Sequence, residues 1–549
     1  RFLLCAAFVL LPFLNKAQAT AENETVSTDT VKQDSLVQVA FREIPRSNLL
    51  GGVSVVDVDD LIEKNYHTYS LDNMEGYIGG WNGNSLWGMD DHLVLVDGVP
   101  RDADNVLPSE IDDITFLKGA SAVVLYGSRA AKGVINITTK RGKAQPLEVN
   151  VRANTGFHVS KSYPKYLGSA EYMTLYNEAL ANDGGDPLYS QEEIYNHASG
   201  RNPYRYPNVD FCSSDDLQKA YNRSDVTTEL IGGNERSRYY ANVGYYRQGD
   251  VLDFGQGANN YEERLNIRGN VDVVINDFID AYVNANATFY TSRDINYTDS
   301  NPDDDGNVDN YWTYASSMRP NRVSPLVPIS YIDNNALNAL SLINNSSNIV
   351  DGKYFLAGTQ VDNTNAFADS YAGGYNKWNS RQFQFDTGID FDLENFMKGL
   401  SFHTQFAVDY TTSFTTAYDN EYAVYIPSWY SYNGEDVIGE LEKEGNDEKS
   451  GNPAFSNENY RQTIAFSGWF DYATTLNNAH NLSAMLVATG YQQRESGNYH
   501  NTANANLGLQ FGYNFRNKYY ADLAGAVVHS AKFAEGNRNA FSPSVTLGW

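Results

Sequence analysis

From about residue 147 onward, apolar and polar residues alternate in long runs. Over Ile279 to Tyr290 one set of positions holds Ile279, Ala281, Val283, Ala285, Ala287 and Phe289, and the other holds Asp280, Tyr282, Asn284, Asn286, Thr288 and Tyr290. From Gln382 to Leu393 the residues Phe383, Phe385, Ile389, Phe391 and Leu393 oppose Gln382, Gln384, Asp386, Asp390 and Asp392. Leu507, Leu509, Phe511, Tyr513 and Phe515 likewise oppose Gly508, Gln510, Gly512 and Asn514. A period of two sustained over such lengths predicts strands with one apolar and one polar face.

The connections between these strands alternate in length. Tight turns are expected near Asn234 to Ser237, Asn276 to Asp277, Glu394 to Gly399, Asn477 to Asn481 and Arg516 to Lys518. Longer connections are expected near residues 160–222, 250–260, 293–379, 417–461 and 496–503. That parity is the pattern of an outer-membrane β-barrel, with short turns on one side and long loops on the other. A soluble sandwich has no reason to keep it over successive pairs. About twelve strands are expected, the last beginning near Trp549. Such a sheet is roughly half a barrel with two bare edges, so the complete protein is expected to extend beyond it.

Before the alternation, residues 36–143 mix short apolar strands with glycine-rich turns, and residues 20–35 read as a polar leader. The first nineteen residues read as a signal peptide whose start is truncated. An apolar run from Phe2 to Leu14 precedes Ala17-Gln18-Ala19, a small-x-small cleavage site, and the chain opens at Arg1. No later run of eighteen apolar residues exists, so a membrane crossing has to be made by strands.

Composition agrees. Tyrosine (40), phenylalanine (26) and glycine (43) are plentiful, and the formal net charge is −28. Nucleic acid is excluded as a partner, because phosphate binding needs a Lys/Arg face. The two cysteines, Cys5 and Cys212, offer no disulfide once the leader is removed.

The chemistry concentrates in two segments, VDGVP (Val96, Asp97, Gly98, Val99, Pro100) and LKGASAVVLYGSRAAKGVINITTKRGK (Leu117 to Lys143), the latter carrying Lys118, Gly119, Tyr126, Gly127, Arg129 and Gly133. The first predicts a strand ending in a glycine-containing turn. Lys118, Arg129, Lys132, Lys140 and Arg141 supply positive charge that an acidic wall would meet. Upstream, the apolar run Leu36, Val37, Gln38, Val39, Ala40 and Phe41 is suited to adding a strand to a partner.

Together these segments resemble the plug of SusC/RagA-type TonB-dependent outer-membrane transporters. LVQVAF resembles the TonB box, Ser169 to Phe211 resembles the helical outer insertion of the family, and Phe541 to Trp549 resembles a strand from the middle of the barrel. Where the family has an arginine–glycine pair before VDGVP, this chain has Leu86-Trp87-Gly88. The resemblance implies an all-β-dominated fold, a transmembrane antiparallel β-barrel with an N-terminal α+β plug in its lumen. It divides the chain into a signal peptide (1–19), a periplasmic leader with the TonB box (20–45), a plug (46–145) and a partial barrel (146–549). It further implies TonB on the periplasmic side, a SusD-like lipoprotein on the outer face, and an oligosaccharide or peptide as cargo.

Trp312, Trp378 and Trp429 fall in the expected outer loops and are candidates for stacking on cargo. Asp303, Asp305 and Asp309, with Gly306 at a sharp turn, resemble the start of a calcium loop, but Trp312 stands where the closing glutamate belongs. The bland alternative is a solvated acidic loop. No metal-ligand spacing, nucleophile elbow or phosphate loop is present, so no catalytic residue is expected. Two other readings remain open: a secreted β-rich glycan-binding protein, and a receptor that binds cargo without efficient transport.

Overall fold

A computed structural model describes residues 36–58, 78–82, 85–103, 106–119, 124–163, 165–213, 216–297, 311–312, 315, 318–359, 366–448, 452–530 and 533–549. The signal peptide, the polar leader and the calcium-loop candidate Asp303, Asp305 and Asp309 lie outside the described residues.

The chain opens on a hairpin, β1 (Leu36–Val39) and β2 (Arg42–Pro45). A five-stranded sheet follows: β3 (Val53–Asp57), β4 (Leu93–Val96), β5 (Val99–Pro100), β6 (Ile111–Leu117) and β7 (Val134–Thr139), in the order β3-β6-β7-β4-β5. Its second strand, LVLV, is wholly apolar, and Val96, Ile111, Ile114, Phe116 and Ile137 form the core of the sheet with Leu86. Strands buried on both sides need no polar face. This sheet is the plug.

The wall is one twelve-stranded sheet in which every strand pairs antiparallel with its neighbours. It comprises β8 (Glu148–His158), β9 (Tyr221–Gly233), β10 (Ser237–Gly249), β11 (Tyr261–Asn276) and β12 (Ile279–Ile295). After an outer excursion holding β13 (Leu326–Pro328), β14 (Ile349–Val350) and β15 (Tyr354–Leu356), it continues with β16 (Gly374–Asp392) and β17 (Leu400–Asp419). A second excursion, the hairpin β18 (Val424–Tyr432) and β19 (Glu435–Glu444), precedes β20 (Ala454–Leu476), β21 (His480–Glu495), β22 (Thr502–Phe515), β23 (Tyr519–Ser530) and β24 (Asn539–Gly548). The wall is open, with β8 and β24 as its edges.

The two faces of the wall are inverted relative to a soluble protein. On β16, Phe383 and Phe385 are 46% and 41% exposed, whereas Gln384 and Asp386 are 4% and 1% exposed. The same holds for Val283, Phe406, Phe466, Leu486, Leu509 and Leu523 outside, and for Asn284, Asp409, Ser467 and Asp522 inside. An apolar outer belt around a polar lumen is what lipid outside and water or plug inside demand. All five expected tight turns join strands at one end of the sheet, and the long connections stand at the other.

The outer insertion after β8 forms α1 (Ser169–Asn182) and α2 (Gln191–Ser199). Ser190 and Glu193 close a capping box at the start of α2, and Gly200 ends it in the left-handed region. The packed face of α1 is Ser169 and Met173, with Leu175 and Ala179 exposed. A third helix, α3 (Leu337–Asn344), packs with β13–β15 and β18–β19 around Val327, Ile343, Phe355, Tyr425 and Ile438. The outer loops thus carry a small core of their own.

Candidate functional site

LVQVAF is expected as one extended strand and is instead a strand and a turn. Val39 ends β1, Ala40 takes φ 53°, and the chain returns as β2, so that Leu36 pairs with Pro45 and Val39 with Arg42. The turn tip is apolar and buries itself. Phe41 packs on Tyr126 of the plug and Trp469 of β20, with ring centroids 4.8 and 5.4 Å away, and shares a cluster with Ala40, Leu125, Met485 and Val487. Arg42 clamps the tip to the wall through Asp471, at 3.2 Å from Nε, and through the Ala484 carbonyl at 3.2 Å. Leu36 at the far end is exposed.

VDGVP turns at Asp97 (φ 51°) and Gly98 (φ 78°) between β4 and β5. The Asp97 carboxylate accepts from the backbone N–H and the hydroxyl of Thr139, both at 2.8 Å, which ties this turn to the end of β7. Its carbonyl accepts from Gln405 Nε2 on the wall at 2.8 Å. Gly127 and Gly133 are required as glycine. Each has positive φ, and a Cβ at Gly133 would stand 2.4 Å from Leu86, one at Gly127 3.1 Å from Asn506 of β22.

The plug is held to the wall by buried charge. Arg101, the residue after VDGVP, donates to Asp386 on β16 at 2.6 Å and to Asp409 on β17 at 2.9 Å. Burial works against the Arg101 charge, but the two carboxylates outweigh it, so the guanidinium binds its proton more tightly than usual. Polarity reverses one layer away. The Glu110 carboxylate of the plug accepts from Asn242 at 3.0 Å, Asn266 at 2.5 Å and Arg268 at 2.9 Å. Lys140 reaches Glu229 at 3.3 Å, and Arg141 reaches Asn284 at 2.5 Å and pairs with Asp272.

Of the five cations expected to face an acidic wall, Lys140 and Arg141 do so. Lys118 instead bonds inside the plug, to Ser54 at 2.9 Å and the Gly79 carbonyl at 2.8 Å. Lys132 pairs with Asp91 at the plug surface. Arg129 lies over the Tyr491 ring at 3.7 Å, a cation–π contact with the wall rather than an ion pair. Arg101 and Glu110 were missed. Their signal was a charge at the edge of an apolar run, matched by charges at lumen-facing positions of β11, β16 and β17.

The three candidate tryptophans do not converge. Trp378 lies on β16 rather than in a loop, on the lumen side beside Tyr290 at 5.3 Å. Trp429 packs edge-on against Tyr331 in the β18–β19 hairpin, and Trp312 against Tyr311. Among the described residues no cluster of His, Cys, Asp and Glu could hold a metal ion.

Residues 22–134 match the family model for the TonB-dependent Receptor Plug Domain. SusC of Bacteroides thetaiotaomicron, a TonB-dependent receptor, is 28% identical over 189 residues, 29% of this chain and 19% of that protein. TonB-dependent receptor P3 of Formosa agariphila is 23% identical over 95% of this chain and 49% of that one. The solved RagAB peptide transporter superposes with a TM-score of 0.62 at 17% identity, over 90% of this chain and 57% of that one. The chain resembles SusC/RagA-type TonB-dependent receptors, in sequence through its plug and in fold through its wall. It spans about half the length of P3 and less of SusC. The matched plug domain and the wall with its apolar outer face indicate an outer-membrane β-barrel protein with a plug. No helix among its described residues is long and apolar enough to cross a membrane.

Proposed function

We propose that the receptor imports a bulky nutrient, an oligosaccharide or a peptide, across the outer membrane. TonB pulls on Leu36 to Phe41 to displace a plug formed by residues 46–145, and a SusD-like lipoprotein caps the outer face. The carrying observation is a plug fastened inside a polar lumen by ion pairs and hydrogen bonds, within a wall whose outer face is apolar. Contacts of that kind hold firmly when dry and are replaceable by water when strained. Among the described residues strand β1 pairs only with β2, which leaves its second edge without a strand partner there. TonB as the partner is supported by the likeness to TonB-dependent receptors, and a peptide as one cargo class by the fold shared with a peptide transporter.

The test is uptake of labelled oligosaccharides and peptides by the native host, with the gene intact or lacking the codons for Leu36 to Phe41. Uptake of one cargo class that disappears with the deletion supports the reading and names the cargo. Uptake that survives removes TonB from it.

A further inference from the structure

On the lumen face of the wall, beside the tight turn that joins β16 to β17, three side chains form a line of hydrogen bonds. His403 of β17 stands directly opposite Asp390 of β16, and Ser401 is the next position of β17 on the same face. The Nδ1 atom of His403 lies 2.6 Å from Asp390 Oδ1, and its Nε2 lies 2.8 Å from Ser401 Oγ. An ionised carboxylate only accepts, so the proton of a neutral imidazole sits on Nδ1 and leaves Nε2 as the acceptor. Ser401 therefore donates to Nε2. Its other acceptor, the Asp471 carbonyl, is 3.5 Å away. The direction of each bond is that of a serine nucleophile, a general base and the carboxylate that orients the base, an arrangement defined by geometry rather than by order along the chain. The register of β16 against β17 creates it, which is why no sequence motif announces it.

The setting is open to solutes. Arg101 and Asp386, which fasten the plug, keep 2% and 1% of their side-chain surface exposed, whereas His403 and Asp390 keep 25% and 37%. Two residues before Ser401, Lys398 and Gly399 line, with Ala473 of β20, a space of about 790 Å³. On the other side of His403 stands Trp469, its partner on β20, with the two rings stacked at 5.0 Å between centroids and 15° between planes. The Trp469 Nε1 is buried and has no hydrogen-bond partner among the described residues.

We propose that Ser401, His403 and Asp390 form an acyl-transfer site that hydrolyses carboxylic esters in the lumen. Ser401 Oγ attacks the acyl carbon while His403 Nε2 takes its proton. The bond from acyl carbon to alcohol oxygen then breaks, and the imidazolium returns the proton to that oxygen. Water attacks the acyl-serine with the same help from His403, freeing Ser401 and a carboxylic acid. Ester and water give alcohol and acid, with no other reactant. Asp390 is the positioning residue, and the Trp469 N–H is the donor offered to the oxyanion of each step. The site stands apart from the import reading, since its chemistry needs only a solute in the lumen.

The test uses the full-length receptor purified in detergent. It is treated with a biotinylated fluorophosphonate, and the modified serines are mapped by peptide mass. Ser483, a half-buried serine on the lumen face of β21 with no hydrogen bond to a histidine, is the internal reference. The expected result is modification of Ser401 on the order of a hundredfold faster than of Ser483, the contribution of a positioned general base. Equal rates, or no adduct at Ser401, overturn the site without recourse to any variant. His403→Gln is expected to remove the advantage of Ser401, and Asp390→Asn to reduce it, with Asp390→Glu restoring part of it at an unchanged melting temperature. An advantage that survives His403→Gln overturns the assignment of the base. With p-nitrophenyl acetate, release of nitrophenol beyond one equivalent, lost in Ser401→Ala, is expected. Release that is the same in Ser401→Ala overturns hydrolysis at this site.

Discussion

At the scale of single residues, Arg101 bears most on plug retention. It is buried between two buried aspartates from adjacent strands, so removing it strands both carboxylates in the lumen. Breaking a buried pair from one side costs about 3–5 kcal/mol. Arg101→Ala is therefore expected to loosen the plug, seen as faster proteolysis of the plug and greater outer-membrane permeability to large antibiotics. Adding D386N and D409N to it should recover much of the loss, since neutral amides are cheaper to leave unpaired. Asp113 carries a pH dependence of its own. Burial first, then repulsion from Asp112, pushes its carboxyl up from 3.8 to about 6, against the opposing hydrogen bonds from Thr115 and Thr138. Glu43 of the hairpin adds to the repulsion. An acid that holds its proton more tightly when folded destabilises the fold as pH rises from about 4 to 6, and the full penalty remains above that window. Asp113→Asn is thus expected to raise the melting temperature of the purified receptor at neutral pH and to leave it unchanged near pH 4. At this scale the sequence was a partial guide. Gly127 and Gly133 were legible because tight turns leave glycine as the only fit, but which wall residue each cation meets depends on strand register, and no local pattern encodes it.

Elements were more legible than residues. Alternation assigned inner and outer faces correctly on β12, β16 and β22, because lipid and lumen impose opposite demands on successive positions. It also placed all five tight turns, since a strand can only cross and return. A direct check is Phe385→Lys against Gln384→Lys, neighbours on β16. The first puts a charge into lipid at a cost of about 2–4 kcal/mol, and it should reduce the heat-resistant, folded band on gels. The second faces the polar lumen and should reduce that band less. The hairpin was read as a single strand because its turn lies at Ala40-Phe41, which lacks the glycine, asparagine or aspartate that announce such turns. Tertiary burial of Phe41 against Tyr126 and Trp469 holds it there. Phe41→Ala, at a cost of roughly 3 kcal/mol, should expose the hairpin to added protease in permeabilised cells more readily than the parent.

For the molecule as a whole, an apolar belt, a polar lumen and a plug in that lumen form one arrangement. The net charge of −28 is distributed so that plug cations and a few wall carboxylates meet in the dry interior, while most acidic residues face water. Energised import requires that a small force at one end of this arrangement be felt at the plug, and the β1–β2 hairpin is the first described segment in contact with both plug and wall. The most direct measurement is the ratio of internalised to surface-bound cargo in the native host, compared between the intact receptor and the form lacking Leu36 to Phe41. Import driven through this segment gives undiminished surface binding with internalisation lost. Internalisation that persists at the parental ratio would contradict it.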